Sequence, residues 1–285
     1  MSKLPVPLVV AITLTAVTAT MVFADPVDDT LLIDGELEMT TRTTSVDGHP
    51  LPEVISGWHY RSEDTRLLAQ DSFDNPGMLG VEEGEEIWNT VDGTLGKSCA
   101  SCHDDAAVSM AGVGASFPKW SETLGKPVNV ELQINHCRVE NMGAEAYPFD
   151  KGGQKPLTAY IKNQSLGQPV ALDLNAGEMQ KWWEQGKETY YKRTGQLDLS
   201  CASCHEKNNG NYIRADHLSQ GNVNGFPTYR LKQSNLVSLH NRFRGCIRDT
   251  RAEFPAAFSD ELMGLEVYTT WRGTGLSVET PAVRQ

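Results

Sequence analysis

Positive charge is scarce in this sequence, which has 25 lysine and arginine residues against 37 aspartate and glutamate residues and a formal net charge of −12. A chain so acidic is a poor candidate for binding nucleic acid or an anionic membrane. Long apolar runs are scarce too. The run over residues 8–22 is short, and no later stretch reaches the roughly 20 apolar residues that a membrane-spanning helix needs. We therefore expect a protein that binds neither nucleic acid nor membranes.

The first 24 residues have the pattern of a secretory signal peptide. Lys3 precedes the apolar run over residues 8–22, and Val22-Phe23-Ala24 resembles a signal-peptidase site. An uncleaved membrane anchor is the alternative, but the run is short and interrupted by threonines. We predict cleavage after Ala24 and export of a soluble protein.

Cysteine is used sparingly, and four of the six copies lie in two identical Cys-Ala-Ser-Cys-His units. In a C-x-x-C-H unit, both thiols form thioethers to a haem and the histidine is the proximal iron ligand. Structural zinc is disfavoured because the units lie about a hundred residues apart, too far for a zinc ribbon. The sequence predicts two covalently bound haem c groups, with thioethers at Cys99, Cys102, Cys201 and Cys204 and iron ligation by His103 and His205.

The chain repeats itself around these two units. Gly84 lies 19 residues before His103, and Gly186 lies 19 residues before His205. Each glycine is expected to open a helical segment with an aromatic residue four positions on; the second segment has Asn175 as its predicted N-cap. A helix that leads into C-x-x-C-H resembles the entry to a cytochrome c domain.

Two Phe-Pro dipeptides extend the repeat. Phe117-Pro118 and Phe226-Pro227 each stand 20 residues before one of the two remaining cysteines, Cys137 and Cys246. The interval from haem unit to Phe-Pro is seven residues longer in the second copy, which places an insertion in residues 208–225. A thiol at one repeat position in both halves indicates a role at each haem.

These patterns predict a mainly α fold with two tandem cytochrome c-type haem domains related by the internal repeat. We place an irregular N-terminal extension at residues 25–80, the first haem domain at 81–170 and the second, catalytic domain at 171–285. The extension has little periodicity and is expected to carry no chemistry of its own.

Each predicted haem iron needs a ligand opposite its histidine, or has an open position there. Met142 and Met263 are the ordinary candidates, but they do not match across the repeat, whereas Cys137 and Cys246 do. A Cys137–Cys246 disulfide is the rival interpretation, since export would permit it. Two further alternatives are His136 and His240. Repeat symmetry favours thiolate ligation of the irons by Cys137 and Cys246.

Positive charge is concentrated near only one of the two haems. Residues 225–252 hold six basic residues against one acid, whereas residues 116–143 have three of each. The six are Arg230, Lys232, Arg242, Arg244, Arg248 and Arg251. Such a field attracts a small anion to the sulfur of Cys246, so we expect the active site there.

Arg242 is the strongest single candidate in this field. We expect Ser234 or Asn235 to cap a helix that Gly245 ends, with Arg242 and Cys246 four residues apart on one face. A guanidinium in that position keeps the thiol ionised and supplies donors to an oxyanion.

Together these motifs resemble the SoxA family, the catalytic subunits of the SoxAX cytochromes of bacterial thiosulfate oxidation. The resemblance covers nearly the whole chain after the signal peptide. It rests on both haem units and on three further motifs: Asp74-Asn75-Pro76-Gly77-Met78, Asn135-His136-Cys137-Arg138 and Arg242-Phe243-Arg244-Gly245-Cys246. It points to the di-haem branch, because the first C-x-x-C-H is present.

The resemblance implies His103/Cys137 and His205/Cys246 ligation and a periplasmic location. It also implies that Cys246 carries a persulfide sulfur and that Arg242 and Lys232 line the substrate channel. A mono-haem SoxX-like subunit would form a heterodimer with this chain and take the electrons on to a downstream cytochrome. The expected activity is that of an L-cysteine S-thiosulfotransferase, which couples thiosulfate to a cysteine of a SoxYZ-like carrier.

Two other functions remain open at this stage. A thiosulfate dehydrogenase would join two thiosulfates into tetrathionate without a carrier. A di-haem electron carrier would perform no sulfur chemistry at all.

Overall fold

The computed structural model describes Val27 and residues 29–285, so the predicted signal peptide and its cleavage site lie outside the described residues. Within that part of the chain, no helix combines the length and apolar character needed to cross a membrane. The longest helices have 13 residues and the strands have two or three. The fold is accordingly mainly helical, as predicted.

The helices are α1 Glu63–Leu67, α2 Met78–Asn89, α3 Ala100–His103, α4 Ala106–Ser109, α5 Val113–Ser116, α6 Val130–Cys137, α7 Gln154–Asn163, α8 Met179–Tyr191, α9 Cys201–His205, α10 Leu239–Asp249 and α11 Asp260–Arg272. Short 3-10 turns cover Gly57–Tyr60 and Leu231–Gln233, and a π-helical turn covers Arg138–Met142.

The strands are β1 Leu32–Ile33, β2 Leu37–Glu38, β3 Arg42–Thr44, β4 Glu53–Ile55, β5 Lys119–Ser121, β6 Lys126–Val128, β7 Tyr212–Ile213, β8 Asp216–His217, β9 Thr228–Arg230, β10 Asn235–Val237 and β11 Val283–Arg284. Four antiparallel pairs join β1 to β2, β3 to β4, β5 to β6 and β7 to β8. The remaining sheet has the order β10-β9-β11, with β11 parallel to β9.

Two helix pairs form the framework, α2 with α7 and α8 with α11. A glycine allows the close approach in each: a Cβ on Gly84 would lie 2.3 Å from the Pro156 carbonyl oxygen, and one on Gly186 would lie 1.9 Å from that of Gly264. These glycines lie inside α2 and α8 rather than at the helix starts, which corrects the prediction that they open the helical segments. Their role is to let two backbones touch.

The helices α6 and α10, which carry the two remaining cysteines, follow hairpins and have side-chain caps. Asn129 accepts a hydrogen bond from Leu132 N, and Ser238 accepts one from Asn241 N. The expected cap at Ser234 or Asn235 is wrong, because residues 235–237 pair with β9 as strand β10. Gly245 does not end α10, which continues to Asp249.

Two other predicted boundaries also shift. The N-cap of α8 is Glu178 and not Asn175, because α8 begins at Met179. Helix α2 begins at Met78, so the predicted boundary at residues 80 and 81 falls inside a helix. In both cases the sequence pattern locates the helix but misplaces its first turn, as is usual for helix ends.

The segment predicted as an extension packs into the rest of the chain. Leu31, Met39 and Trp58 share an apolar cluster with Val283 of β11. Ile55 N donates to Gln220 Oε1 at 2.9 Å, which joins β4 to the residues just after β8. This segment therefore lies against the region that follows the second Cys-Ala-Ser-Cys-His unit.

Candidate active site

His205 is held on two sides by the loop that follows β8. Its Nδ1 lies 2.8 Å from the Ser219 carbonyl oxygen. Because a carbonyl oxygen only accepts hydrogen bonds, Nδ1 carries the proton, and the lone pair of Nε2 is left to bind a metal. Gly221 has φ +77°, and a Cβ there would lie 2.8 Å from the imidazole Cγ. The loop thus fixes both the tautomer and the orientation of the ring.

Cys246 lies next to His205 in the second half of the chain. Burial would raise the pKa of Cys246, but the charge of Arg242 and then the neighbouring His205 lower it to about 7. Burial raises the pKa of its neighbours Cys201, to about 12, and Cys204. At neutral pH, Cys246 is therefore the sulfur of this group with substantial thiolate character.

Arg242 reaches Cys246 along one face of α10, as the spacing predicted. A Cβ placed on Gly245 would lie 3.6 Å from Arg242 Nη1, so the guanidinium folds along the turn that contains the thiol. At the corresponding position of α6 the residue is Gln133, whose Nε2 donates to Cys137 Sγ at 3.4 Å. One cysteine thus has a cationic neighbour and the other a neutral donor.

A basic cluster surrounds the outer side of this site. Lys232, in the turn between β9 and β10, bonds Asp216 Oδ1 at 2.9 Å. The pKa of Asp216 is lowered against the effect of burial by this hydrogen bond and by the charges of Lys232, Arg230 and Arg242. The structure therefore brings Arg230, Lys232 and Arg242 together around one carboxylate.

The other three basic residues of the window lie elsewhere. Arg244, Arg248 and Arg251 are exposed, and the Arg244 guanidinium lies 5.8 Å from the centre of the Phe254 ring. The expectation that one field of six charges surrounds Cys246 is thus correct for half of them. Helical spacing explains the difference, because residues two positions apart face different directions.

The insertion in residues 208–225, to which the sequence patterns assigned no role, contributes contacts to the site. The insertion forms the β7–β8 hairpin and the loop after it, and it supplies Asp216 to Lys232 and the Ser219 carbonyl to His205. It also supplies the His217 carbonyl that accepts a hydrogen bond from Arg61, a residue of the predicted N-terminal extension. The one available clue was the seven-residue length difference.

In the first half, Cys137 lies beside the Cys99–His103 unit. The pKa of Cys99 is raised by burial and by the neighbouring Cys137. The ring of His103 lies 5.8 Å from that of Trp88, between ring centres. Each remaining cysteine is thus adjacent to its own C-x-x-C-H unit.

Two of the rival second-position ligands, Met263 and His240, have other roles in the structure. Met263 is fully buried in a core cluster with Met179 and Trp182. His240 is buried, accepts from Phe258 N and lies 3.0 Å from Glu266 Oε2. All six cysteines lie in the described residues as free thiols, so the structure contains no Cys137–Cys246 disulfide.

The surroundings of both units fit a haem. Cys99 packs against a cluster that includes Trp88, and Cys201 against one that includes Tyr190 and Phe243. Buried polar atoms without a hydrogen-bond partner, among them Tyr190 OH and Trp183 Nε1, lie on side chains of the second cluster. An apolar wall with a few free donors is what a large, mostly apolar ring with polar edges requires.

Known proteins share these features. A family model described as SoxA/TsdA, cytochrome c domain, matches residues 83–170. The L-cysteine S-thiosulfotransferase subunit SoxA of Pseudaminobacter salicylatoxidans is 67% identical over 262 residues, covering 92% of this chain and 91% of that protein. The chain belongs to the SoxA family. It is accordingly an L-cysteine S-thiosulfotransferase subunit with a cytochrome c domain, as the motifs predicted.

Other SoxA proteins agree. The SoxA subunit of Paracoccus pantotrophus is 47% identical over 267 residues, covering 92% of this chain and 91% of that protein. A crystal structure of SoxXA from the same organism contains a chain with a TM-score of 0.88 and 47% identity, covering 92% of this chain and all of that one. The fold is therefore that of SoxA over nearly the whole described length.

Proposed function

We propose that this SoxA chain joins thiosulfate oxidatively to a cysteine of a SoxYZ-like carrier protein, with Cys246 as the reacting sulfur. The observation that carries the proposal is the environment of Cys246, a thiol whose pKa is lowered to about 7 by Arg242 and His205. A cationic neighbour both stabilises the thiolate and attracts an anionic substrate.

The proposed cofactors are two haem c groups in two tandem haem domains. Cys99 and Cys102 would hold the first, with His103 and Cys137 as iron ligands, and Cys201 and Cys204 the second, with His205 and Cys246. The placement of each remaining cysteine beside its own unit supports this arrangement. Such haems, when bound, accept one electron at a time.

In the proposed reaction, residues of this chain bind and orient thiosulfate. Lys232 and Arg242 bind the sulfonate end of thiosulfate, whose terminal sulfur meets a persulfide sulfur carried by Cys246. Forming this S–S bond releases two electrons, which leave for a partner cytochrome. The carrier thiolate then attacks the Cys246 adduct by thiol–disulfide exchange and departs with the thiosulfonate group. Arg242 stabilises the leaving thiolate.

The proposed partner is a mono-haem SoxX-like subunit, which forms a heterodimer with this chain and passes electrons to a downstream cytochrome. Support comes from the SoxXA complex, of which the similar Paracoccus pantotrophus chain is a part. The proposed location is the periplasm, after cleavage behind Ala24. The pattern of residues 1–24 supports export.

The test removes the two cations. Arg242→Ala and Lys232→Ala should each lower carrier-dependent thiosulfate turnover at least about tenfold, because each removes a charge-assisted contact to substrate. The absorption spectrum of the first haem should stay unchanged, since Arg242 and Lys232 both lie in the cluster beside Cys246. Turnover is measured with the carrier protein and an electron acceptor.

Arg244→Ala is the matched control, because it removes an arginine from the same helix on a face that packs on Phe254. It should leave turnover within about twofold. Undiminished activity in both the Arg242 and Lys232 variants would place the site elsewhere. Tetrathionate as product in the absence of carrier would instead identify a thiosulfate dehydrogenase.

The persulfide has its own test. The intact mass of the purified protein, before any reductant is added, should show two haem increments and one extra sulfur. Cys246→Ser should lose that sulfur. Two haems without the sulfur would favour the dehydrogenase or a plain electron carrier, and fewer than two haems would contradict the two-domain proposal.

A further inference from the structure

Among the described residues, no carboxylate forms a salt bridge with the cation of Arg61. It follows the 3-10 turn Gly57–Tyr60 and is half-buried where the N-terminal segment meets the second half. Its Nη2 donates to the His217 carbonyl at 2.5 Å and its Nε to the Gly57 carbonyl at 3.3 Å. Both acceptors are neutral, so these hydrogen bonds fix the guanidinium without neutralising it.

The strand β8 connects Arg61 to Asp216, the carboxylate that binds Lys232. Two consecutive residues of β8 make the contacts: the Asp216 carboxylate binds Lys232 at 2.9 Å, and the His217 carbonyl accepts from Arg61. The two cations are thereby attached to adjacent positions of one short strand. Arg61 consequently belongs to the basic cluster at the outer side of the Cys246 site.

The cluster contains more positive charge than its acids compensate. Asp216 is paired with Lys232, and Glu279 is paired with Arg284 at 2.9 Å. Arg230 donates through Nε and Nη2 to the Gln285 backbone oxygen. Burial and the charges of Arg284, Arg242 and Arg230 lower the pKa of Arg61 to about 10, against the opposing effect of Asp216. Like charges gathered in a partly buried place are unfavourable unless an anion joins them.

We propose that Arg61 is an anion-binding residue of this site and that, together with Arg242, it holds the sulfonate group of thiosulfate. The inference rests on the proposed function and extends it, because it assigns a substrate contact to the N-terminal segment. A sulfonate has three oxygens, and the fork of a fixed guanidinium matches two of them.

The test compares Arg61→Met with Arg61→Lys in the haem-loaded heterodimer. Both substitutions disturb the forked hydrogen bonds to the two carbonyls, but only methionine removes the charge. Arg61→Met should raise KM for thiosulfate about tenfold while kcat stays within about threefold, and Arg61→Lys should raise KM by less than about threefold. Equal KM values in the two variants would overturn the proposal.

Sulfate supplies a readout that needs no turnover. Inorganic sulfate should raise Tm of the unsubstituted protein and of Arg61→Lys, and should raise it less in Arg61→Met, because a ligand stabilises only the state that binds it. The control is Arg193→Gln, which removes an exposed arginine paired with Asp198 and should keep the full response. A full sulfate response in Arg61→Met would also overturn the proposal.

A second variant and the sulfate titration cover the case in which Arg61→Met fails to fold or to bind haem. If Arg61→Met does not retain its haems, Arg61→Gln replaces it, because the glutamine side chain keeps a hydrogen-bond donor without a charge. The sulfate titration separates the two proposals. If the chain does not couple thiosulfate to the carrier, the shift of Tm with sulfate still tests the anion site. If the Arg61 substitutions change neither KM nor Tm, only the anion site is refuted, and the proposed reaction at Cys246 is unaffected.

Discussion

Gln133 and Arg242 each lie four residues before a cysteine on a short helix, and each directs its side chain to the neighbourhood of that sulfur. The neutral donor and the cation have different effects. A neutral hydrogen bond weakens electron donation by a thiolate, whereas a free cation also attracts an anion. This one difference is consistent with the proposal that Cys246 reacts with substrate while Cys137 only ligates iron.

Replacing Gln133 by leucine should alter the first haem and not the second. Gln133→Leu removes the 3.4 Å hydrogen bond to Cys137, so the thiolate becomes a stronger donor and the reduction potential of that haem falls. A net hydrogen bond of about 0.5–1.5 kcal/mol corresponds to about 20–60 mV. Redox titration followed by absorbance measures both potentials. An unchanged first potential would contradict ligation by Cys137.

Helical spacing in the sequence was enough to predict which side chains lie close together on one helix. The pair Arg242 and Cys246 followed from positions i and i+4, and the structure confirms the common face. Arg61 could not have been found in that way, because its contact with His217 joins residues 156 positions apart. No local periodicity reports such a contact.

At the scale of elements, the helix crossings decide where the two C-x-x-C-H units stand. The helix α8 leads toward Cys201 and crosses α11 at Gly186, just as α2 leads toward Cys99 and crosses α7 at Gly84. The sequence predicted these glycines by their matched spacing but assigned them to helix starts. The structure shows the reason for these glycines, which is the close contact of each with the backbone of its partner helix.

Gly186→Ala should therefore destabilise the protein strongly. The new methyl group would lie 1.9 Å from the Gly264 carbonyl oxygen, which is backbone and cannot move aside alone. Overpacking of this kind costs about 3 kcal/mol. Chemical denaturation measures the loss, with Gln185→Ala on the exposed face of α8 as control. Equal stability of the two variants would show that the helices can separate freely.

The β7–β8 hairpin is the element that separates the two halves in function. It carries the acid for Lys232, and the loop after it carries the acceptor for His205. A sequence comparison between the halves located the insertion because the interval is longer. It could not assign a role, since turn-rich polar residues indicate a loop and nothing about its contacts.

At the scale of the whole molecule, a buried ionisable cluster links the two halves. Glu131 on α6 faces Glu266 on α11, with Lys162 on α7 and His240 on α10 nearby. Burial, and then the charge of Glu266, raises the pKa of Glu131 to about 7, against the opposing charges of Lys162 and His240. Asn129 also donates to Glu266 Oε2 at 2.9 Å.

This cluster makes stability depend on pH. The ordinary pKa of Glu131 is 4.5, so between about pH 4.5 and 7 the folded chain holds a proton that the unfolded chain releases. Stability from this group is present below that window and is lost as pH rises through it. Glu131→Gln should flatten the fall of Tm between pH 5 and 8, while the exposed Glu140→Gln should not. An unchanged slope in Glu131→Gln would assign the dependence to another group.

The contacts between the first and last parts of the chain support the segment that carries Arg61. Thr40 accepts from Ser277 N, and Asn75 donates to the Pro281 carbonyl. The segment that carries Arg61 can pack on residues 217–222 without the end of the chain, but its contacts with residues 277–284 need that end. A chain cut short near residue 275 would therefore keep both attachment units and lack part of the support for the segment that carries Arg61.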